Sequence, residues 1–306
     1  MRGWVLVSVV IPTRGRPQLV VCAVESALQQ TYAPLEVIIV IDGADPETMR
    51  ALQTISDNRL SFIALEENVG GSEARNIGIR AARGEWIAFL DDDDQWVPEK
   101  LERQIAAAAG VQADYPIIST RLCAERANGN QILPRRIYAT GEDVADYLFC
   151  RDGFSYGDGM LQTSTLLTKR ELLLETPFQK GLKQHQDWDW LLRAASRPDV
   201  QTVMLPEVLV RMRVTGPGNS VSQSLDWQTS LRWVNEVRPL MSARVYAFFI
   251  ATECVPRAQK CRAGLGAQML LFREFIWNGR MGLKQCALFL AFCLFPEGLR
   301  NKLRNN

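Results

Sequence analysis

The sequence predicts an α/β fold, a mostly parallel sheet with helices on both faces, followed by a helical region. Short apolar runs rich in β-branched and aromatic residues alternate with segments whose apolar residues recur at helical spacing, the pattern of strand–helix–strand units. One run, residues 86–90, leads directly into Asp91-Asp92-Asp93-Asp94, so a buried strand is expected to deliver four carboxylates to its carboxyl end. In such sheets ligands gather beyond the carboxyl ends of the strands. At 306 residues the chain can bury a sizeable core and suits one large domain, with or without an appendage.

Residues 5–11 are nearly all β-branched and end at Pro12, as a buried first strand would. Pro17 opens a helix in which Leu19, Ala23, Ala27 and Leu28 recur at helical spacing. Residues 35–41 form the second strand, followed by Asp42-Gly43-Ala44-Asp45-Pro46, and 60–65 the third. Residues 68–71 make a turn, with Ser72 placed to cap a helix running to Arg83. After the fourth strand, at 86–90, Pro98 starts a helix rich in Glu, Lys, Leu and Ala. Further strands are expected at 117–120 and 163–168, the second followed by a short helix over 169–174. Between them, 151–159 carries Gly153, Gly157 and Gly159 and reads as a mobile loop. Residues 184–193 open another helix with acids in its first turn, where Asp187 could simply complement the helix dipole. Gly216-Pro217-Gly218-Asn219-Ser220 marks a break, so the expected division is a domain over 1–222 and a helical region over 223–306.

A net charge of +1 gives no global case for nucleic-acid binding. The seven cysteines are scattered with no CxxC pair, which reads as free thiols in a reducing compartment. The apolar residues 4–11 are interrupted by Ser8 and run into Pro12-Thr13, unlike a secretory leader, so a cytoplasmic location is expected. The last segment changes character: residues 255–306 hold nine Lys or Arg against Glu274 and Glu297. Its apolar run, 286–295, has ten residues, about half of what a membrane-spanning helix needs. Basic stretches with Trp and Phe suit an anionic membrane interface; the alternative is a pair of helices packed on the protein's own core or on a second subunit.

Carboxylates crowded as closely as Asp91 to Asp94 repel one another unless a cation neutralises them, and all-oxygen ligands suit Mg²⁺ or Mn²⁺; the alternative is a solvated acidic turn. In chain order, residues 9–13, 26–32, 36–45, 68–78, 89–96 and 187–193 resemble the motifs of family 2 glycosyltransferases of the GT-A fold, a likeness covering about residues 5–222. The resemblance implies an inverting transferase that moves a sugar from a nucleotide donor, usually a UDP-sugar, to an acceptor hydroxyl. It places Pro12, Thr13, Arg14, Asp42, Arg75, Asp91 and Asp92 at the donor, with Asp42 accepting from the base and Asp91 near the ribose. It makes Asp93 the ligand of a divalent metal, Mn²⁺ or Mg²⁺, bridging the diphosphate, and Asp187 the catalytic base.

Several positions depart from that pattern. Arg14 stands where many members carry an aromatic, Ile41 replaces the first acid of an Asp pair, Gln186 replaces a Glu, and Thr215 stands where many have a histidine. Arg14 and Arg16 would otherwise read as a solvated basic turn, and His185, the only histidine, as a loop residue. Family habit and the basic tail together imply work on a lipid-linked or saccharide acceptor in cell-surface polysaccharide or lipopolysaccharide synthesis, peripheral on the inner face of the membrane. Two other readings are a nucleotidyltransferase, although Pro12-Thr13-Arg14-Gly15-Arg16 only half resembles a glycine-rich basic loop, and a non-catalytic scaffold that binds nucleotide-sugar or lipid.

Overall fold

The computed structural model describes residues 5–127, 129–151, 158–214, 226–280 and 282–294. Most of the 151–159 loop, Thr215 and the 216–220 break lie outside these residues. Packing divides the chain into two units, residues 1–141 with 161–215, and residues 142–160 with 216–306.

The first unit runs β1 (Val7–Thr13), α1 (Pro17–Leu28), β2 (Leu35–Ile41), α2 (Pro46–Leu52), β3 (Leu60–Ala64), α3 (Gly71–Ala81) and β4 (Trp86–Phe89). Then come β5 (Asp94–Trp96), α4 (Lys100–Ala108), β6 (Tyr115–Glu125) and β7 (Gln131–Leu133). After α5 (Val144–Phe149), which belongs to the second unit, the chain returns for β8 (Leu167–Lys169), α6 (Arg170–Glu175), α7 (Gln186–Ala195) and β9 (Val200–Arg213). The sheet order is β3-β2-β1-β4-β8-β6-β9-β5, with β7 on β6.

Strands β3, β2, β1 and β4 are mutually parallel. All seven residues of β2 are buried, as expected of a strand covered on both faces. Its one charge, Glu36, accepts from Ser8 Oγ at 2.6 Å and from the Arg83 amide at 2.7 Å, while Ser8 Oγ takes the Gly84 amide at 2.9 Å. Burial would raise the Glu36 carboxyl, but these donors hold it below its ordinary value. The network fastens the amino ends of β1, β2 and β4.

Beyond β4 the pairing changes. β8 is antiparallel to both β4 and β6, β6 and β9 are parallel, and β5 is antiparallel to β9. The sheet thus keeps the expected parallel pairing over most of its length and adds antiparallel strands, because β8 is entered from a three-residue 3₁₀ turn, Thr163–Thr165, and runs back against β4. That turn occupies the first half of the strand expected at 163–168. β6 is much longer than expected and pairs with β9, which the sequence did not suggest, across an irregularity at Arg121. Ser72 does not cap α3: Gly70 holds the N-cap position at φ 85°, and the Ser72 hydroxyl is buried without a hydrogen-bond partner.

The second unit contains α5, α8 (Trp227–Glu236), α9 (Ala243–Phe249), α10 (Val255–Lys260), α11 (Leu265–Asn278) and α12 (Leu283–Leu294). A π turn, Ile250–Cys254, joins α9 to α10 just before Pro256, which has no amide to donate to a helical ladder. Phe149 packs edge-on against Phe249 and against Trp233, which ties residues 142–160 to this unit. Glu253 is buried between Arg151 and Arg257, both within ion-pair distance.

Candidate active site

The carboxyl ends of β1, β2 and β4 bring Thr13, Asp42 and the Asp91 to Asp94 run to one edge of the sheet. Asp42 directly follows β2 and is buried, accepting from the Val69 amide at 2.6 Å, the Gly70 amide at 3.0 Å and Asn68 Nδ2 at 3.1 Å. It thus organises the entry to α3. With three donors on a carboxylate that can accept about four, it keeps room for one ligand donor. Thr13 donates to Asp92 Oδ2 at 2.7 Å, Pro12 lies half-buried beside it, and Arg14 points into solvent.

Two arginines balance the acidic run. Arg16 Nη1 lies 2.9 Å from both Asp92 Oδ1 and Asp93 Oδ2, bridging the two. Arg75 is buried on α3, with Nη2 2.6 Å from Asp91 Oδ1 and Nη1 3.0 Å from Gln186 Oε1, while its Nε has no hydrogen-bond partner. Its guanidinium sits 5.8 Å from the centroid of Phe178, itself stacked on Trp190. Burial raises the Asp92 carboxyl against the pull of Thr13 and Arg16. Burial and the charges of Asp91 and Asp92 push Asp93 up to about 6. Asp94, which accepts from Ser164 Oγ at 2.6 Å and Gln162 Nε2 at 3.0 Å, is also pushed up, chiefly by burial.

Asp187 enters from the other side. It occupies the first turn of α7, directly after Gln186 and preceded by His185 in a left-handed conformation (φ 62°), whose ring stacks on Trp188 at 4.9 Å. Asp187 is partly open to solvent, yet its crowded surroundings raise its carboxyl: burial acts most, Arg75 opposes it, and Asp91 adds to it. The Thr163 hydroxyl is buried beside it without completing a hydrogen bond. Asp93 and Asp187 come from segments about ninety residues apart, and the charge of Asp91 raises both. Arg75 links the two sides.

Could these residues hold a divalent ion? Among the described residues no three His, Cys, Asp or Glu side chains converge into a metal cage. The donor set nevertheless fits a hard cation completed by a ligand: Asp91 and Asp93 offer oxygen donors whose mutual repulsion a dication would relieve. Arg16 now supplies part of that positive charge.

Sequence reasoning singled out Pro12, Thr13, Asp42, Arg75, Asp91, Asp92, Asp93 and Asp187, and the fold brings Thr13, Arg75, Asp91, Asp92, Asp93 and Asp187 into one network. Arg14 stands outside it. The alternative of a solvated basic turn fails for Arg16, which the network holds. Gln162 and Ser164 were missed; a polar Gln-Thr-Ser-Thr run gives no sign that it will fold beneath an acidic cluster. Gln186, noted only for the missing acid, bridges Arg75 to the Leu182 carbonyl.

A model of Glycosyl transferase family 2 matches residues 8–154. The amylovoran biosynthesis glycosyltransferase AmsB of Erwinia amylovora is 27% identical over 97% of this chain and 96% of its own length. An uncharacterized glycosyltransferase of Bacillus subtilis, YwdF, is 32% identical over 70% of this chain and 77% of its own. Residues 1–349 of S. aureus TarS, solved in complex with UDP-GlcNAc, superpose with a TM-score of 0.62 at 17% identity, covering 94% of this chain and 84% of that one, a likeness in GT-A fold. With these matches in hand, the chain belongs to glycosyltransferase family 2.

Proposed function

We propose that this protein transfers a sugar, with inversion, from a UDP-sugar to the hydroxyl of a lipid-linked or saccharide acceptor during synthesis of a cell-surface polysaccharide, working peripherally at the inner membrane face. The observation that carries this reading is the network in which Arg75 joins Asp91, at the end of β4, to the start of α7, where Asp187 stands. The link of AmsB to amylovoran synthesis and the UDP-GlcNAc bound by TarS support the pathway class and the donor class respectively.

In this mechanism Asp42, with its remaining acceptor capacity, takes the base N–H. Thr13 and Asp92 line the nucleotide, and Asp91 faces the ribose. Asp93, with Asp91 nearby, would hold a divalent cation, Mn²⁺ or Mg²⁺, together with diphosphate oxygens. When bound, that ion would offset the charge that builds on the leaving nucleoside diphosphate. Asp187 accepts the proton of the attacking hydroxyl from the sugar face opposite the leaving group, which inverts the anomeric centre. Burial suits it to the task, since a raised carboxyl is a stronger base near neutral pH. Membership of the family leaves the nucleotidyltransferase reading without support.

The test is Asp187→Asn. UDP affinity by calorimetry should be retained while transfer falls about 10²- to 10⁴-fold, the usual contribution of a general base. Unchanged turnover would remove Asp187 from the role. Hydrolysis of UDP-, GDP- and dTDP-sugars without acceptor would identify the donor nucleotide.

A further inference from the structure

The helical unit carries a surface that its own packing leaves unexplained. α11 buries Leu271 and Phe275, and α12 buries Leu288, Phe289 and Ala291, with Phe275 and Phe289 stacked at 4.5 Å. Each helix also has a second apolar stripe facing outward. On α11 it is Leu265, Met269 and Phe272, spaced i, i+4, i+7, with Leu265 78% and Met269 72% exposed. On α12 the same spacing gives Leu283, Ala287 and Leu290, with Leu283 93% exposed. Trp277, 81% exposed, lies at the end of α11. A helix apolar on opposite faces is covered on both, by protein or by lipid.

Charge decides between those covers. Lys260, Arg262, Arg273 and Arg280 are exposed around the apolar stripes, whereas Glu274 turns inward to accept from Tyr246 and Asn278. In a symmetric pair of copies each patch would meet itself, setting arginine against arginine. An anionic bilayer takes the apolar stripe and the cations together. No described helix is long and apolar enough to cross a membrane, so the fit is to a surface lying in the headgroup plane, with Trp277 suited to that level.

We propose that the outward stripes of α11 and α12 are the membrane-docking face, entering the interface of an anionic bilayer with Arg262, Arg273 and Arg280 on its headgroups. The proposal deepens the inner-face location given above and does not depend on the chemistry assigned to Asp187.

The full chain is sedimented with phosphatidylcholine vesicles with and without phosphatidylglycerol. Binding is expected to the anionic vesicles, to weaken as salt rises, and to drop about tenfold or more in Leu265→Glu/Met269→Glu, which removes apolar insertion and adds repulsion. Circular dichroism checks that the variant folds, and Arg273→Glu/Arg280→Glu, which touches only exposed charges, gives an independent arm with the same expectation. Undiminished binding by both variants overturns the proposal. So does equal binding to neutral vesicles, or a wild-type dimer that either variant converts to monomer, which would assign the face to a second copy. Because vesicle binding needs neither donor nor acceptor, such a failure would leave the sugar-transfer reading standing, and loss of transfer in Asp187→Asn would leave this one standing.

Discussion

The two halves of the first unit's sheet are built by different rules. In the β3-β2-β1-β4 half, parallel strands are joined through helices, β2 is buried at every position, and three strand ends deliver Thr13, Asp42 and Asp91. In the β8-β6-β9-β5 half, two long parallel strands, β6 and β9, are flanked by the short antiparallel β8 and β5, and the site groups come from a 3₁₀ turn and a helix start. The regular half places Thr13, Asp42 and Asp91 by topology alone. The irregular half ties the Asp187 helix to the regular half through side-chain links: Arg75 to Gln186, the Asn76 side-chain amide to the Phe178 backbone at 2.8 and 3.0 Å, and the Phe89–Phe178–Trp190 rings. Such a joint should be the weakest point of the site.

Removing Arg75 is the strongest way to break that comparison. Arg75→Met keeps most of the bulk but leaves Asp91 and Asp187 without their shared cation, and breaking a buried ion pair costs about 3–5 kcal/mol. Urea unfolding should show a loss of that order. A loss under about 1 kcal/mol would mean that the halves are held together by the aromatic cluster instead, since that is the range of a surface pair.

A second contrast uses glycine. At Gly84, which leads into β4, a Cβ would lie 2.6 Å from the Leu6 carbonyl oxygen and 2.8 Å from the Ser8 amide, both backbone atoms that cannot move aside. Gly84→Ala should therefore destabilise by about 1–3 kcal/mol, as overpacking does. At Gly110, between α4 and β6, the closest atom would be 3.5 Å away. Gly110→Ala should change stability by less than about 1 kcal/mol, and in the favourable direction. Thermal melting of the two variants ranks them; equal losses would show that the parallel half is no less forgiving than the other.

The same contrast explains what could be read from the sequence. β2 was legible to the residue, because seven consecutive buried positions leave an apolar run with turn residues after it. The acidic run was legible because four adjacent carboxylates are rare outside a cation site or a solvated turn. β9 was not: its residues alternate between buried and half-exposed and include Pro206 and Glu207, so local pattern competes with a pairing set by β6, some eighty residues away. Lys100, in the helix expected after Pro98, is fully buried, donating to Gln104 at 2.6 Å and lying 4.0 Å from the Trp96 ring centroid. Its place is decided by β5, a three-residue strand with no sequence signature. Arg16 was hidden for a related reason, since its partners lie seventy-six and seventy-seven residues along the chain.

A smaller effect than that expected at Arg75 concerns Asp93, where stability and the proposed metal binding pull in opposite directions. Its carboxyl is raised from 3.8 to about 6 by burial and by Asp91 and Asp92. The folded chain therefore holds this proton more tightly than the unfolded one, so the group's contribution is present below the unfolded value and is lost as pH rises from about 4 through about 6. At pH 7 and without metal, ionised Asp93 works against the fold, and Asp93→Asn should stabilise by about 1 kcal/mol, less than the full shift implies because a quarter of the side chain is exposed. Near pH 4 the variant and the wild type should melt together. Adding Mn²⁺ and UDP should reverse the order at pH 7, stabilising the wild type and leaving the variant unmoved. If Asp93→Asn instead melts lower in metal-free buffer at pH 7, the Arg16 bridge outweighs the repulsion within the acidic run, and Arg16 rather than a divalent ion is the principal partner of Asp93.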